Sequence, residues 1–196
     1  MNEVAAGVLA ILLLCLAQGA RAQTPSTYTD LGSYLLPSGG SAATVTQSGQ
    51  SNSATVDQSG GAPNTAAVTQ SGSGNSASLS QFGSGNSATI SLSGQANSAN
   101  VSQSGQGNVA GAYVTQGAGN VIIQTQSGYS NSFVANVQGS QNAIVSTQTG
   151  SGDSGQVSIV GSGNSVSQTI VGNSSGAAIT TVGNNSAISV LRVSGK

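Results

Sequence analysis

Apolar and amide side chains alternate with small polar side chains from residue 41 to the C-terminus. In the unit that opens at Asn52, the second, fourth, sixth and eighth following residues are Ala54, Val56, Gln58 and Gly60. The same order of Ala, aliphatic residue, Gln and Gly follows several later asparagines. Period two is the period of a β-strand, in which successive side chains point to opposite faces. Each unit therefore predicts one strand with Asn, Ala, an aliphatic residue and Gln on its buried face.

These units recur at steps of 11 or 12 residues, with a final step of 10. They open at Ser41, Asn52, Asn64, Asn75, Asn86, Asn97, Asn108, Asn120, Asn131, Asn142, Asp153, Asn164, Ser175 and Asn185. Successive strands can all bury the same face if two strands form one rung with their inner faces toward each other, and if the rungs stack. The fold predicted is all-β, a two-sheet β-solenoid of about seven strand-turn-strand rungs in which each unit lies over the unit two before it.

The buried amides need hydrogen-bond partners, because a buried amide without one costs about 1–3 kcal/mol. In stacked rungs each amide can donate to the rung above and accept from the rung below. The asparagines predict two such ladders, one through Asn64, Asn86, Asn108 and Asn131 and one through Asn75, Asn97, Asn120 and Asn142. A third ladder is predicted through Gln58, Gln81 and Gln103. The alternative is that Asn recurs because it favours turns, which explains Asn but not Gln.

A glycine lies near the end of each early unit and marks the tight turn to the next strand. Glycine takes a positive φ there without a steric cost. The predicted turn glycines are Gly49, Gly60, Gly72, Gly83, Gly94 and Gly105.

Toward the C-terminus the unit changes. Other residues stand where Gln is expected, at Leu92, Val137, Ile159, Ile170, Thr181 and Leu191. Gln116 comes two residues late in its unit, as a β-bulge would require. Asp153 replaces a ladder asparagine, either as a drifted turn residue or as a brake on assembly, and Asp57 on the other strand face raises the same question.

The composition argues against catalytic, metal-binding and nucleic-acid-binding functions. Charged residues are 4% of the chain, the net charge is −1 and there is no His. Acid–base, nucleophilic and metal sites need His, Cys, Lys or paired carboxylates, so we expect no enzyme, no cofactor, no metal and no small-molecule substrate. The lack of a basic patch argues against nucleic acid. A polar, uncharged chain rich in Gly, Ser, Asn and Gln is instead prone to β-aggregation or repetitive β-structure.

The N-terminal part does not follow the repeat. Residues 4–17 are almost all apolar, and Ala20, Arg21 and Ala22 follow as an A-x-A-like cleavage site. Residues 1–22 are therefore predicted to be a secretory signal peptide cleaved between Ala22 and Gln23. Residues 23–40 are predicted to be a non-repetitive leader, and residues 41–196 the repeat solenoid.

The two ends of a stack expose unpaired strand edges, which monomeric proteins cover with charge, proline, bulges or caps. The repeat shows no capping helix, and its basic residues, Arg192 and Lys196, lie in the last unit. We therefore expect the first rung to be an open template. Addition of further copies would give a cross-β fibre on polymerisation.

The unit Asn-x-Ala-x-(aliphatic)-x-Gln-x-Gly-x-x-Asn resembles the curlin repeat of bacterial curli fibres, over about residues 41–191. The resemblance implies a secreted subunit that self-assembles into a cell-surface fimbrium of a Gram-negative bacterium, with roles in adhesion and biofilm matrix. It implies as partners a nucleating curlin paralogue and an outer-membrane curli secretion pore. It also implies that the ladder amides drive self-assembly, here Asn52, Asn64, Asn75, Asn86, Asn97, Asn108, Asn120, Asn131 and Asn142 with Gln47, Gln58, Gln70, Gln81, Gln103, Gln126 and Gln148.

Two alternatives stay open. The basic C-terminus is faintly like that of the minor, nucleating curlin subunit. A monomeric β-solenoid adhesin would have the same core, but it should carry caps and usually a membrane anchor. An ice-binding solenoid should show a fixed outward row of Thr, whereas the outward positions here mix Ser, Thr, Asn and Ala.

Overall fold

A computed structural model describes residues 10–11, 26–29, 40–61 and 63–194 of the chain, and these form sixteen β-strands and no helix. No membrane-spanning helix is therefore found among these residues. The repeat strands β3 to β16 form two parallel sheets that face each other and make seven turns of a solenoid. The predicted two-sheet β-solenoid is confirmed.

The even-numbered repeat strands form sheet A and the odd-numbered ones form sheet B. Sheet A contains β4 Ser53–Gly60, β6 Ser76–Ser84, β8 Ser98–Gln106, β10 Val121–Tyr129, β12 Ala143–Ser151, β14 Ser165–Asn173 and β16 Ala187–Val193. Sheet B contains β3 Ala42–Gln50, β5 Thr65–Ser73, β7 Ser87–Gln95, β9 Val109–Gln116, β11 Ser132–Gln138, β13 Ser154–Val160 and β15 Gly176–Val182.

Strands stack on the strand two units away with like residue on like. Ala77 lies opposite Ala99, Leu79 opposite Val101 and Gln81 opposite Gln103. Each inner position therefore becomes a column that runs through the turns. The alanine and aliphatic columns of both sheets meet in the interior and form one apolar core. This register follows from the sequence, since a slip of one residue would turn every buried side chain outward.

One large side chain enters this narrow core. Phe133 is fully buried at an alanine position, between Ala110 and Gly155 in its column. A Cβ on Gly155 would lie 2.5 Å from the Phe133 ring. The glycine in the next turn thus makes room for the ring, as close packing requires.

The first turn is partly covered, which corrects the expectation of an open template. Strand β2 (Ser26–Thr29) pairs antiparallel with Thr44–Gln47 of β3, and β1 (Ala10–Ile11) pairs antiparallel with Val56 and Asp57 of β4. Both lie on the edge away from the rest of the solenoid. They cover only parts of β3 and β4, because β1 and β2 have two and four residues.

The last unit differs by one residue from the predicted phase. Ser186, and not Asn185, follows Asn164 in the ladder, and its backbone N–H donates to Asn164 Oδ1 at 2.9 Å. Asn185 lies in the turn with a φ of 58°. Arg192, and not Leu191, continues the glutamine column above Ile170, while Leu191 faces outward.

The other predicted substitutions in the glutamine columns are confirmed by the register. Leu92, Val137, Ile159, Ile170 and Thr181 each stack in such a column. The predicted bulge is confirmed as well. The pairing of β9 with β11 shifts between Val114 and Gln116.

The predicted cleavage site at Ala22 and Gln23 lies outside the described residues, as does most of the predicted signal peptide and leader. Both segments stay predictions.

Candidate functional site

Asparagine ladders run along both edges of the solenoid, where tight turns connect the strands of sheet A and sheet B. Asn97 is fully buried, and its Nδ2 donates to Asn75 Oδ1 and to the Gly117 carbonyl, both at 3.1 Å. Its backbone N–H also donates to Asn75 Oδ1 at 3.1 Å. The side-chain bond recurs in one ladder from Asn52 through Asn75, Asn97, Asn120 and Asn142 to Asn164, and in the other from Asn64 through Asn86 to Asn108. Asn131 continues the second ladder through its backbone N–H, which donates to Asn108 Oδ1 at 3.1 Å.

Glutamines form a continuous ladder only in sheet A. Its members are Gln58, Gln81, Gln103, Gln126 and Gln148, each of the first four donating from Nε2 to the next Oε1 at 2.7–2.8 Å. Each Nε2 also donates to a backbone carbonyl of the facing sheet, such as Thr65 O and Ser87 O, at about 3 Å. The glutamines therefore join adjacent turns and also tie sheet A to sheet B.

In sheet B the glutamine ladder is short. Gln47 donates to Gln70, and the column then continues with Leu92, Val114, Val137 and Ile159. Aliphatic side chains need no partners, so this column adds apolar burial where sheet A adds hydrogen bonds.

The two kinds of ladder run in opposite directions. The Gln Nε2 groups that bond along a ladder donate toward the C-terminal end of the solenoid, as predicted, whereas the Asn Nδ2 groups that bond along a ladder donate to the Oδ1 of the preceding turn. The predicted direction is therefore wrong for asparagine. The reason is the backbone N–H of the later Asn, which donates to the same Oδ1 and fixes that oxygen as the acceptor.

The predicted turn glycines also stack on one another from one turn of the solenoid to the next. Gly49, Gly60, Gly72, Gly83, Gly94 and Gly105 all have φ values between 97° and 122°. Carbonyls of the later ones accept from the ladder asparagines, as Gly105 O does from Asn86 Nδ2 at 3.1 Å. Turn and ladder are therefore one hydrogen-bonded unit.

Sequence reasoning missed a polar stretch inside sheet A. Gln124, Ser146 and Gln168 are buried in successive turns of the aliphatic column. Gln124 Nε2 and Gln168 Nε2 donate to carbonyls of sheet B at 2.8 and 2.9 Å. The signal was present, because period two places all three residues on the inner face.

Asp153 lies in an asparagine ladder and is 1% exposed. Its Oδ1 accepts from the Ser175 backbone N–H at 2.9 Å, while its Oδ2 is buried without a partner among the described residues. The Nδ2 of Asn164, at the matching place in the other ladder, instead donates to Asn142 Oδ1 and to Gly183 O. Asp57 lies on the outer face of β4, between the inner residues Val56 and Gln58. For both aspartates the two alternatives, a drifted residue and a brake on assembly, stay open.

Asp153→Asn should raise the free energy of unfolding by about 1–3 kcal/mol, since it replaces an unpaired buried oxygen by a donor. Chemical denaturation of the soluble chain measures this change. The matched control is Asn164→Asp, which should lower the stability by a similar amount. A stability unchanged by Asp153→Asn would contradict the ladder geometry at this turn.

Residues 61–91 match the family model for the curlin associated repeat. No curated protein and no solved structure gave a significant match. The matched residues span β5 and β6 and most of β7, and they contain the ladder residues Asn64, Asn75 and Asn86. Together with the β-solenoid, the repeat indicates a structural protein of the curli-subunit type. The turns before and after this segment continue the same columns in the same register, so the chain is a regular β-solenoid that contains a curlin associated repeat.

Proposed function

We propose that the chain is a self-assembling subunit of an extracellular curli-type amyloid fibre. The observation that carries the proposal is the set of amide ladders, which run in register along the parallel strands from the first turn of the solenoid through several later turns. In sheet A the glutamines donate in one direction without a break from Gln58 to Gln148. A ladder of this kind gains one more set of hydrogen bonds with each rung added, including a rung from a second copy.

Backbone geometry supports the same proposal. The strands of each sheet are parallel and in register, which is the arrangement of cross-β fibres with their ~4.7 Å repeat. The outer faces carry few charges, so little self-repulsion opposes the approach of further copies.

The location and the partners of such a fibre are also part of the proposal. The subunit would be secreted, would assemble on the surface of a Gram-negative bacterium and would serve adhesion and biofilm matrix. A nucleating curlin paralogue and an outer-membrane secretion pore would be its partners.

The test is the assembly kinetics of the purified chain without residues 1–22. We expect thioflavin-T fluorescence to rise after a lag, preformed fibres to shorten that lag, and fibre diffraction to show a reflection near ~4.7 Å. A chain that stays monomeric at high concentration and ignores seeds would contradict the proposal.

That contrary outcome would favour the second candidate, a monomeric β-solenoid adhesin. The observation that favours this candidate is the antiparallel pairing of β2 with β3 in the first turn, since an added strand is one way to protect a sheet edge.

A further inference from the structure

The first turn presents hydrogen-bond acceptors at the start of the glutamine columns. Gln58 and Gln47 each donate from Nε2 into the solenoid, to Gln81 and Gln70. Their Oε1 atoms accept no hydrogen bond from the described residues, because Gln58 and Gln47 are the first glutamines of their columns. Because the glutamines of each ladder all donate in the same direction, the first turn ends in hydrogen-bond acceptors.

The last turn presents hydrogen-bond donors in the column of sheet A. Arg192 ends this column and is exposed, and its guanidinium has five N–H donors and no acceptor. Thr181 ends the column of sheet B, but its hydroxyl is buried and is not presented to a second copy. The donors of Arg192 at one end therefore match the Gln58 acceptor at the other.

The remaining columns also match from end to end. Ile188 and Val190 end the inner columns of sheet A, where Ala54 and Val56 begin them. Ser175 and Ser186 end the asparagine ladders. A serine works in this position, because the Ser41 hydroxyl already accepts the Asn64 backbone N–H at 3.2 Å.

We propose that Arg192 determines the direction of assembly, by docking the last turn of one copy on Gln58 in the first turn of a second copy. This inference rests on the proposed function and adds the contact that selects the partner end. Two last turns meeting each other would bring donors and like charges together, so the reverse orientation is disfavoured. The orientation selected is head to tail.

The leader strand must leave for this docking to occur. β2 uses the outer edge of β3 at Thr44–Gln47, which is the edge that β15 of the incoming copy would pair with. The two cannot bind together. β2 has four residues and β15 has seven, so the incoming strand offers the longer pairing.

The experiment measures elongation from preformed wild-type fibres, with single variants as the added chain. Arg192→Glu replaces the donors by acceptors opposite Gln58, and we expect elongation at least about tenfold slower. Lys196→Glu changes the net charge equally and is the control, with elongation near that of wild type. Arg192→Gln keeps an amide donor and should also elongate nearly normally.

A paired substitution tests the contact itself. Arg192→Glu together with Gln58→Arg restores a donor opposite an acceptor, and chains carrying both should elongate on fibres of the same double variant. Failure of this rescue, or equal slowing by Arg192→Glu and Lys196→Glu, would overturn the inference while leaving fibre formation intact. If the wild-type chain forms no seeded fibres, the proposed function itself fails, and the inference fails with it.

Removal of residues 23–40 tests the displacement of the leader. Without β2 the first turn is free, so we expect elongation to be unchanged or faster. Slower elongation would contradict the competition between β2 and an incoming copy.

Discussion

Gly105→Ala should lower the free energy of unfolding by about 3 kcal/mol or more. Gly105 has a φ of 118°, which side chains rarely adopt. A Cβ at this position would also overlap the carbonyl oxygen of Gly128 in the next turn. That carbonyl accepts the Nδ2 of Asn108 at 3.0 Å, so moving it away would disturb the asparagine ladder as well. The midpoint of chemical denaturation measures the loss.

The control lies two residues further along the same turn. Gly107 has a φ of 67°, and a Cβ there would meet its nearest atom, Ser130 Oγ, at 3.6 Å. Ala96 occupies the equivalent position before Asn97 with a φ of 51°, so the turn already accepts an alanine. Gly107→Ala should therefore cost only about 1 kcal/mol. Equal losses for the two variants would show that stacking of the carbonyls is not what requires glycine at Gly105.

The sequence allowed prediction of the repeat geometry because that geometry is local and repeated. Period two assigned the inner face of each strand, and the constant spacing placed Ala77 over Ala99 and Gln81 over Gln103. Polar groups on a buried face must pair, and the same groups one turn away are partners that every turn provides. The ladders followed from that requirement.

The remaining features depend on contacts that no single unit encodes. Phe133 fits because Gly155 lies in the next turn, and the pairing of these two residues is seen only when the columns are assembled. The change to Ser186 and Arg192 arose in a turn one residue longer than the spacing suggested. The pairing of β2 with β3 joins a segment outside the repeat to its first strand, and that segment has no period from which the pairing could be predicted.

The predicted direction of hydrogen bonding in the asparagine ladders was wrong for a different reason. An amide side chain can bond either way along a stack, so side-chain chemistry alone leaves the direction open. The backbone N–H of the next asparagine decides it, by donating to Oδ1. This bond depends on the turn conformation before each Asn, where Ser51, Ala96 and Gln141 all have positive φ.

Gln103→Leu should also lower the free energy of unfolding, by less than Gly105→Ala. Gln103 is 1% exposed, accepts from Gln81 Nε2 at 2.8 Å and donates to Gln126 Oε1 at 2.8 Å and to Ser87 O at 3.1 Å. Leucine has a similar size, so the core stays filled while the amides on both sides lose a partner. Two impaired buried neighbours should cost about 2–4 kcal/mol in the free energy of unfolding.

Gln148→Leu is the matched control, because Gln148 is equally buried but is the last amide of the same column. It accepts from Gln126 Nε2 at 2.8 Å, and its other neighbour in the column is Ile170. Only one amide neighbour is left without its partner, so the loss should be about half that of Gln103→Leu. Equal losses would mean that each glutamine contributes through its own burial and its bond to the facing sheet. The graded loss is expected only if the hydrogen bonds between amides of adjacent turns stabilise both turns. A second copy that extends the stack would be held by hydrogen bonds of the same kind.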